Sequence, residues 1–412
     1  MSDLPLSDVR VLDLTRLLPG GFCSLLMADL GAEVVKVEDT GMGDYVRWAP
    51  PYYGSEEQQA LGTRSALYLA LNRGKRSIRV DLKSEAGRDA FLRLARKYDV
   101  VLESFRPGVL EKLGCGYEAL REVNPRIVYC AITGYGQTGP HTGRAGHDMN
   151  YLGLNGLLGL TGEPGGRPIQ SAGQIADIGG GALMAAFGVL AALRERERSG
   201  EGQLVDVSMT DGSLAWLGMV AAAYLCDGEV PRRGEGQLNG GLLCYYPYEV
   251  ADGWVTCGAL EPKFWRNFCL GVAREDLVEK QFERPGSEAW REVAEIFRSR
   301  TREEWRAFND EHDAMIEPVL DLDEALDSEL VREREMVVEL EQPELGPVRL
   351  LGLPVKLSRT PGHGTRPAPA LGEHTEAVLR EAGFGDDEVE GLVASGAVAG
   401  LNQAAEQERF LA

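Results

Sequence analysis

Histidine is scarce in this chain, with 5 in 412 residues, and none lies close to two cysteines. A tetrahedral metal site built from those residue types is therefore not expected. The 7 cysteines, at positions 23, 115, 130, 226, 244, 257 and 269, form no CxxC pair and are odd in number. Reduced thiols in a cytoplasmic protein are the simplest account. Basic residues are also short: 43 Lys and Arg stand against 64 Asp and Glu, a net charge of −21. That charge argues against nucleic acid as a partner, because backbone phosphates need a basic footprint. It does not exclude a small phosphorylated ligand, since a few local cations suffice. The longest apolar runs, Ala182–Leu193 and Leu214–Cys226, fall short of the ~20 residues that span a bilayer. The N-terminal segment has no basic start followed by an apolar stretch and cleavage site, so no signal peptide or membrane association is expected. The first strand-to-helix turn, Thr15–Phe22, lacks GxGxxG spacing although Glu38 ends the next strand, which argues against nicotinamide binding.

What remains is an ordinary globular composition, 44% hydrophobic and 26% charged, in a chain long enough for two domains. The N-terminal half alternates strand and helix. Strands are predicted at Val9–Leu14, Ala32–Glu38, Arg76–Leu82, Val100–Phe105, Ile127–Thr133 and Gln203–Met209. Helices are predicted at Gly21–Leu30, at Ser84–Tyr98 with Ser84 as N-cap, at Ile178–Arg198 with a buried apolar half, and at Ser213–Leu225. This alternation predicts a parallel sheet covered on both faces. Residues 40–72 read as a surface excursion with at most one helix. After residue 226 the pattern changes to a hairpin, Cys244–Val250 with Trp254–Leu260, whose Pro247 suits an edge strand. Helices at about 262–272, 287–300, 302–311 and 322–330 follow, with an extended piece at 315–320. Beyond about 343 helical signals are few, Thr360–Pro369 reads as a linker, and two short helices close the chain. The expected division is a large domain over 1–225, a small α+β domain over 226–330, and a return segment over 331–412 that packs on the large domain.

Two acid–base groups stand out beside glycines. His147 lies in Gly146-His147-Asp148-Met149-Asn150-Tyr151, and Asp177 lies in Ala176-Asp177-Ile178-Gly179-Gly180-Gly181. An imidazole titrates near neutrality, and an acid of different pKa can serve the opposite proton transfer. The plainer readings are a structural histidine and an N-cap aspartate at the Ile178 helix. Glu261, in Gly258-Ala259-Leu260-Glu261-Pro262, has a structural role available at a helix start. The basic residues Arg73, Lys75, Arg76, Lys83, Arg106 and Lys112 cluster near strand ends, and together they suggest a phosphate-bearing ligand.

Several segments, in order along nearly the whole chain, resemble the family III CoA-transferase (CaiB/BaiF) superfamily, and most closely its α-methylacyl-CoA racemases. They include Leu26–Glu38, Asn72–Ser77, Glu103–Val109, Gly134–Pro140, Ala145–Tyr151, Ala176–Gly181, Gly200–Asp206, Glu317–Leu320 and Leu371–Thr375. The resemblance implies an α/β fold: a Rossmann-like large domain with a parallel sheet, made from both chain ends, plus a smaller α+β domain. It also implies an interlocked homodimer whose active site lies between the large domain of one subunit and the small domain of the other. It places coenzyme A against Val80, Asp81, Leu82, Lys83, Ser104, Phe105, Arg106, Lys112, Gly146, Asp148 and Tyr151.

For the reaction, the resemblance gives Asp177 two uses. In the transferases the matching aspartate is a nucleophile that forms an aspartyl-CoA thioester. In the racemases it exchanges protons opposite a histidine. The motif around His147 and the setting of Glu261 look like the racemase branch, since transferases generally lack that histidine. Asp39 departs from the racemase pattern, where an arginine often meets a CoA phosphate, and the 40–72 excursion is longer than usual. The expected activity is racemisation of a 2-methylacyl-CoA through an enolate, with His147, Asp177 and Glu261 catalytic. The alternative is CoA transfer between carboxylic acids through Asp177. No cofactor is expected beyond the coenzyme A of the substrate.

Overall fold

A computed structural model describes residues 4–54, 62–364 and 366–401. Its strands run in chain order from β1 (Arg10–Asp13), β2 (Glu33–Glu38) and β3 (Arg76–Val80) to β4 (Val100–Glu103), β5 (Val128–Thr133) and β6 (Leu204–Ser208). Then come β7 (Tyr245–Val250), β8 (Gly253–Gly258), β9 (Ile316–Pro318), β10 (Val337–Gln342), β11 (Gly346–Leu351) and β12 (Val398–Ala399). The chain forms two compact units, one of residues 1–155, 173–215 and 329–412, the other of 156–172 and 216–328. This division differs in places from the expected one. Residues 156–172 and 216–225 belong with the second unit, whereas the return to the first begins close to the expected point.

The first unit holds a seven-stranded sheet of order β12-β3-β2-β1-β4-β5-β6, parallel except for the short edge strand β12. All six residues of β5 and all four of β4 are buried, as strands covered on both faces must be. The six parallel strands coincide with the six read from periodicity, shortened by a residue or two at their ends. Between β1 and β4 the order reverses, and in doubly wound sheets ligands bind beyond the carboxyl ends of the strands at such a point. Helix Glu85–Ala95 covers one face and is capped by Ser84, whose hydroxyl accepts from the Gly87 N–H at 3.0 Å.

Two expectations for this unit fail. The 40–72 excursion is not a surface feature throughout: Val46, Arg47 and Trp48 are buried, because Arg47 enters the core to meet Glu38. Its residues 55–61 lie outside the described residues. The β10–β11 hairpin, with Pro347 and a turn at Pro343–Leu345, was not expected, since its alternation is broken by charge. The linker reading at Thr360–Pro369 includes residue 365, also outside the described residues.

The second unit has an antiparallel sheet of order β7-β8-β9, with Pro247 on edge strand β7 as expected. Helices Pro262–Gly271, Glu288–Arg298 and Arg302–His312 close an aromatic core of Trp265, Phe268, Phe297, Trp305 and Phe308. Tyr248 stacks on Phe297 with ring centroids 4.3 Å apart, and Phe268 stacks on its other side at 5.1 Å. Such large rings bury much apolar area per residue, which a unit of this size needs.

Candidate active site

At the carboxyl ends of β1, β4, β5 and β6 the first unit opens a cavity of about 570 Å³. Arg16 and Leu17 follow β1, Ser104, Phe105 and Arg106 follow β4, Gly134 and Tyr135 follow β5, and Met209 follows β6. His147 and Asp177 also line it. The backbone at Leu17 is left-handed, with φ at 57°, a conformation costly for a branched side chain. Its N–H donates to Asp44 Oδ1 at 3.3 Å, and Leu17 is the N-cap of helix Leu18–Asp29, which begins at the cavity.

His147 is the N-cap residue of helix Asp148–Leu154, and its own N–H donates to Asn150 Oδ1 at 2.9 Å. That bond fixes the backbone where the imidazole leaves it. Asp177 sits in the first turn of a π-helical segment, Ile175–Ala182, that continues as α-helix Leu183–Ser199. It is not the N-cap that sequence suggested, because the helix starts earlier, after Gln174. A π-turn recurs at functional sites, where it re-aims side chains. Here glycine permits it: a Cβ on Gly180 would stand 2.5 Å from the Met209 carbonyl oxygen, and one on Gly212 would meet the Gly180 backbone closer still. Burial, reinforced by the nearby Asp148 charge and opposed by His147, pushes the Asp177 carboxyl up to about 6. A carboxyl near that value can both accept and return a proton at neutral pH.

Of the residues expected to meet coenzyme A, Ser104, Phe105, Arg106, Gly146 and Tyr151 line the cavity. The Ser104 hydroxyl accepts from the Arg16 N–H at 3.1 Å, and Tyr151 OH donates to the Gly146 carbonyl at 2.5 Å. A side chain on Gly134 or Gly146 would collide with the Tyr151 ring, so those glycines make its slot. Asp148 does not line the cavity. It is 2% exposed, and its Oδ1 accepts from the N–H groups of Ala176 at 2.7 Å and Asp177 at 3.0 Å. Val80, Asp81, Leu82, Lys83 and Lys112 also stand off this wall. Val80 is core, Leu82 packs against it, Asp81 accepts from the Lys83 N–H at 3.0 Å, and Lys83 and Lys112 are exposed.

Glu261 belongs to the second unit, where it is the exposed N-cap residue of helix Pro262–Gly271 and forms no side-chain cap bond. The basic cluster at 73–76 is structural. Arg73 pairs with buried Asp29 at 2.6 Å, Lys75 with buried Asp13 at 3.2 Å, and Arg76 with Glu33 and Glu381. Sequence reading missed Arg16, Tyr45, Thr142 and Arg144 on the cavity wall. Arg16 was signalled by its place just after β1 at the reversal point, and it pairs with Asp39 at 2.7 Å. Among the described residues no group of three or more His, Cys, Asp or Glu could hold a metal ion.

The family model for CoA-transferase family III matches residues 6–375. The chain belongs to that family. This member is 36% identical over 394 residues to a succinyl-CoA:mesaconate CoA-transferase of Haloarcula hispanica, an alignment covering 92% of this chain and 97% of the relative. It is 37% identical over 392 residues to the α-methylacyl-CoA racemase of Mus musculus, covering 93% and 95%. Its fold matches the crystal structure of a CaiB/BaiF family protein from Brucella suis with a TM-score of 0.79 at 30% identity, over 92% of this chain and all of that one. Racemases and transferases thus resemble this family member about equally, and the family alone does not separate the two reactions.

Proposed function

We propose that the protein is an acyl-CoA racemase that inverts the α-carbon of a 2-methylacyl-CoA. The observation that carries this reading is the presence of an imidazole and a carboxyl raised to about 6 lining one cavity. One takes the α-proton while the C–H electron pair moves onto the thioester oxygen, giving an enolate. The other delivers a proton to the opposite face, and the electron pair returns to the carbon. The cations Arg16, Arg106 and Arg144 lining the same cavity suit the phosphates of coenzyme A in an otherwise acidic chain.

Purified protein in heavy water should exchange the α-hydrogen of a 2-methylacyl-CoA for deuterium, followed by mass spectrometry. A panel of such thioesters showing no exchange would overturn the reading. The second reading, CoA transfer, draws support from the transferases among the relatives and from the access Asp177 has to the cavity. There the carboxylate attacks the thioester carbonyl and expels CoA thiolate, which then attacks the aspartyl carbonyl of the mixed anhydride, releasing the donor acid as its carboxylate and leaving the aspartyl thioester. Hydroxylamine capture at Asp177 only with acyl-CoA present would favour it.

We further propose a homodimer, the state the family resemblance implies. Helix Leu183–Ser199 buries Ala185, Val189, Ala192 and Leu193 on one side as expected, but Phe187 is 72% exposed and Leu183, Met184 and Leu190 are exposed beside it. Helix Gly218–Asp227 of the second unit buries none of its apolar residues. A second copy would cover such faces, and it would bring its own Glu261 to the chemistry. The stretch Ile175–Ser199 is by length and composition apolar enough to cross a membrane, but it packs on β5, β6 and helix Leu18–Asp29 as a core helix does.

A further inference from the structure

Asp148 makes an unusual connection for a residue next to the histidine. It opens helix Asp148–Leu154, yet its carboxylate leaves that helix and serves another one. Helix starts leave N–H groups without partners, and a side chain at the N-cap normally accepts from them. Gln174, at that position before Ile175, makes no such bond. Asp148 Oδ1 takes its place from 26 positions earlier in the chain, accepting from Ala176 at 2.7 Å and from Asp177 itself at 3.0 Å. The acceptor is thus covalently adjacent to His147, and one donor is the backbone of Asp177.

We propose that Asp148 is the positioning residue of this site, a brace that fixes the two proton-handling residues relative to each other and whose charge sets when Asp177 gives up its proton. The inference rests on the racemase reading for its kinetic arm only. In geometry, the brace bonds one segment directly to the other, and its burial keeps water from competing for the bonds. In electrostatics, it places a second carboxylate beside Asp177, whose effect the His147 imidazole only opposes, and like charges at short range disfavour ionisation of the neighbour. The ionisable groups that face Asp177 are His147, Asp148 and Tyr151 from the 147–154 segment and Tyr45 from the turn before helix Ala66–Asn72. Among the described residues, the helices and strands packed on the Ile175–Ala182 turn add no other charge that perturbs it.

Two substitutions separate brace from charge. In Asp148→Asn the amide oxygen still accepts both N–H bonds, but the negative charge is gone. In Asp148→Ala both are lost. The Asp177 carboxyl is followed directly by carbon NMR on protein labelled at the aspartate carboxyl carbon, its signal identified by its loss in Asp177→Asn. Asp148→Asn should move that titration to lower pH, and α-deuterium exchange at its own optimal pH should fall less than about tenfold. Asp148→Ala should lower exchange by about 100-fold, as expected when reacting groups are displaced by about 1 Å. An unmoved Asp177 titration in Asp148→Asn, or wild-type exchange in Asp148→Ala, would overturn the proposal. The NMR titration needs no turnover. Absence of exchange in the wild-type protein would therefore sink the racemase reading while the titration still decides the role of Asp148.

Discussion

Two sets of buried carboxylates sit on the same unit and behave in opposite ways. Under β1, β2 and β3 each is matched by a cation: Glu38 by Arg47 at 2.7 Å, Asp44 by Lys36 at 2.8 Å, Asp13 by Lys75 and Asp29 by Arg73. Burial alone would raise Glu38, but the Arg47 guanidinium outweighs it, with help from Lys36, and holds it down to about 2. Beside the cavity the Asp148 carboxylate accepts from the backbone N–H groups of Ala176 and Asp177 instead, and its charge acts on the Asp177 carboxyl. Glu103, behind the wall residue Phe105, is likewise raised to about 8 by burial. Pairing fixes charge and builds structure. Leaving carboxyls without cations leaves them able to change charge, which is what acid–base chemistry requires.

This contrast can be tested from its strongest consequence downward. His147→Ala and Asp177→Ala should each reduce α-deuterium exchange by about 100- to 10,000-fold with the unfolding transition still cooperative. Loss of both by the same factor, with no further loss in the double variant, would mark them as one unit. On the paired side, Arg47→Met leaves Glu38 buried without its cation and should cost about 3–5 kcal/mol in urea unfolding. The effect of the pair should fade in acid, since stability tied to a lowered carboxyl is present above its unfolded value of 4.5 and lost as pH falls toward about 2.

Asp177 has the opposite sign. Raised from 3.8 to about 6, it favours the fold when protonated and loses that contribution as pH rises through 6. Asp177→Asn should therefore gain about 1–2 kcal/mol over the wild type at pH 8, allowing for partial solvent contact, and gain little at pH 4. The same value predicts that kcat/KM for the epimer whose α-hydrogen faces Asp177 rises with pH through about 6, measured by initial rates. As a control, Lys263→Ala removes an ion pair with Asp313 that is mostly exposed, and its unfolding midpoint should stay within experimental scatter.

The parallel sheet was legible because buried strands are apolar runs and their turns carry glycine. The His147 and Asp177 segments were legible from residue type, and the structure places both on one cavity. What escaped reading was long-range polar pairing. Arg73 and Lys75 looked like ligand-binding cations because nothing in their neighbourhood in sequence shows Asp29 and Asp13 waiting for them. The resemblance set Asp148 against coenzyme A, and nothing in the local sequence shows its bonds to backbone 28 and 29 residues away. Arg47 was read as surface because an arginine in a glycine- and proline-rich stretch gives no local sign of burial.

The reciprocal approach of Gly180 and Gly212 has a consequence for substrate choice. Main chain rests on main chain there, so the gap between the Asp177 turn and the Met209 helix has no rotamers with which to widen. The backbone beside the Met209 part of the cavity is thus a fixed gauge. Under the proposed reaction, adjustment to different acyl groups falls to wall side chains such as Arg144, Thr142 and Tyr45.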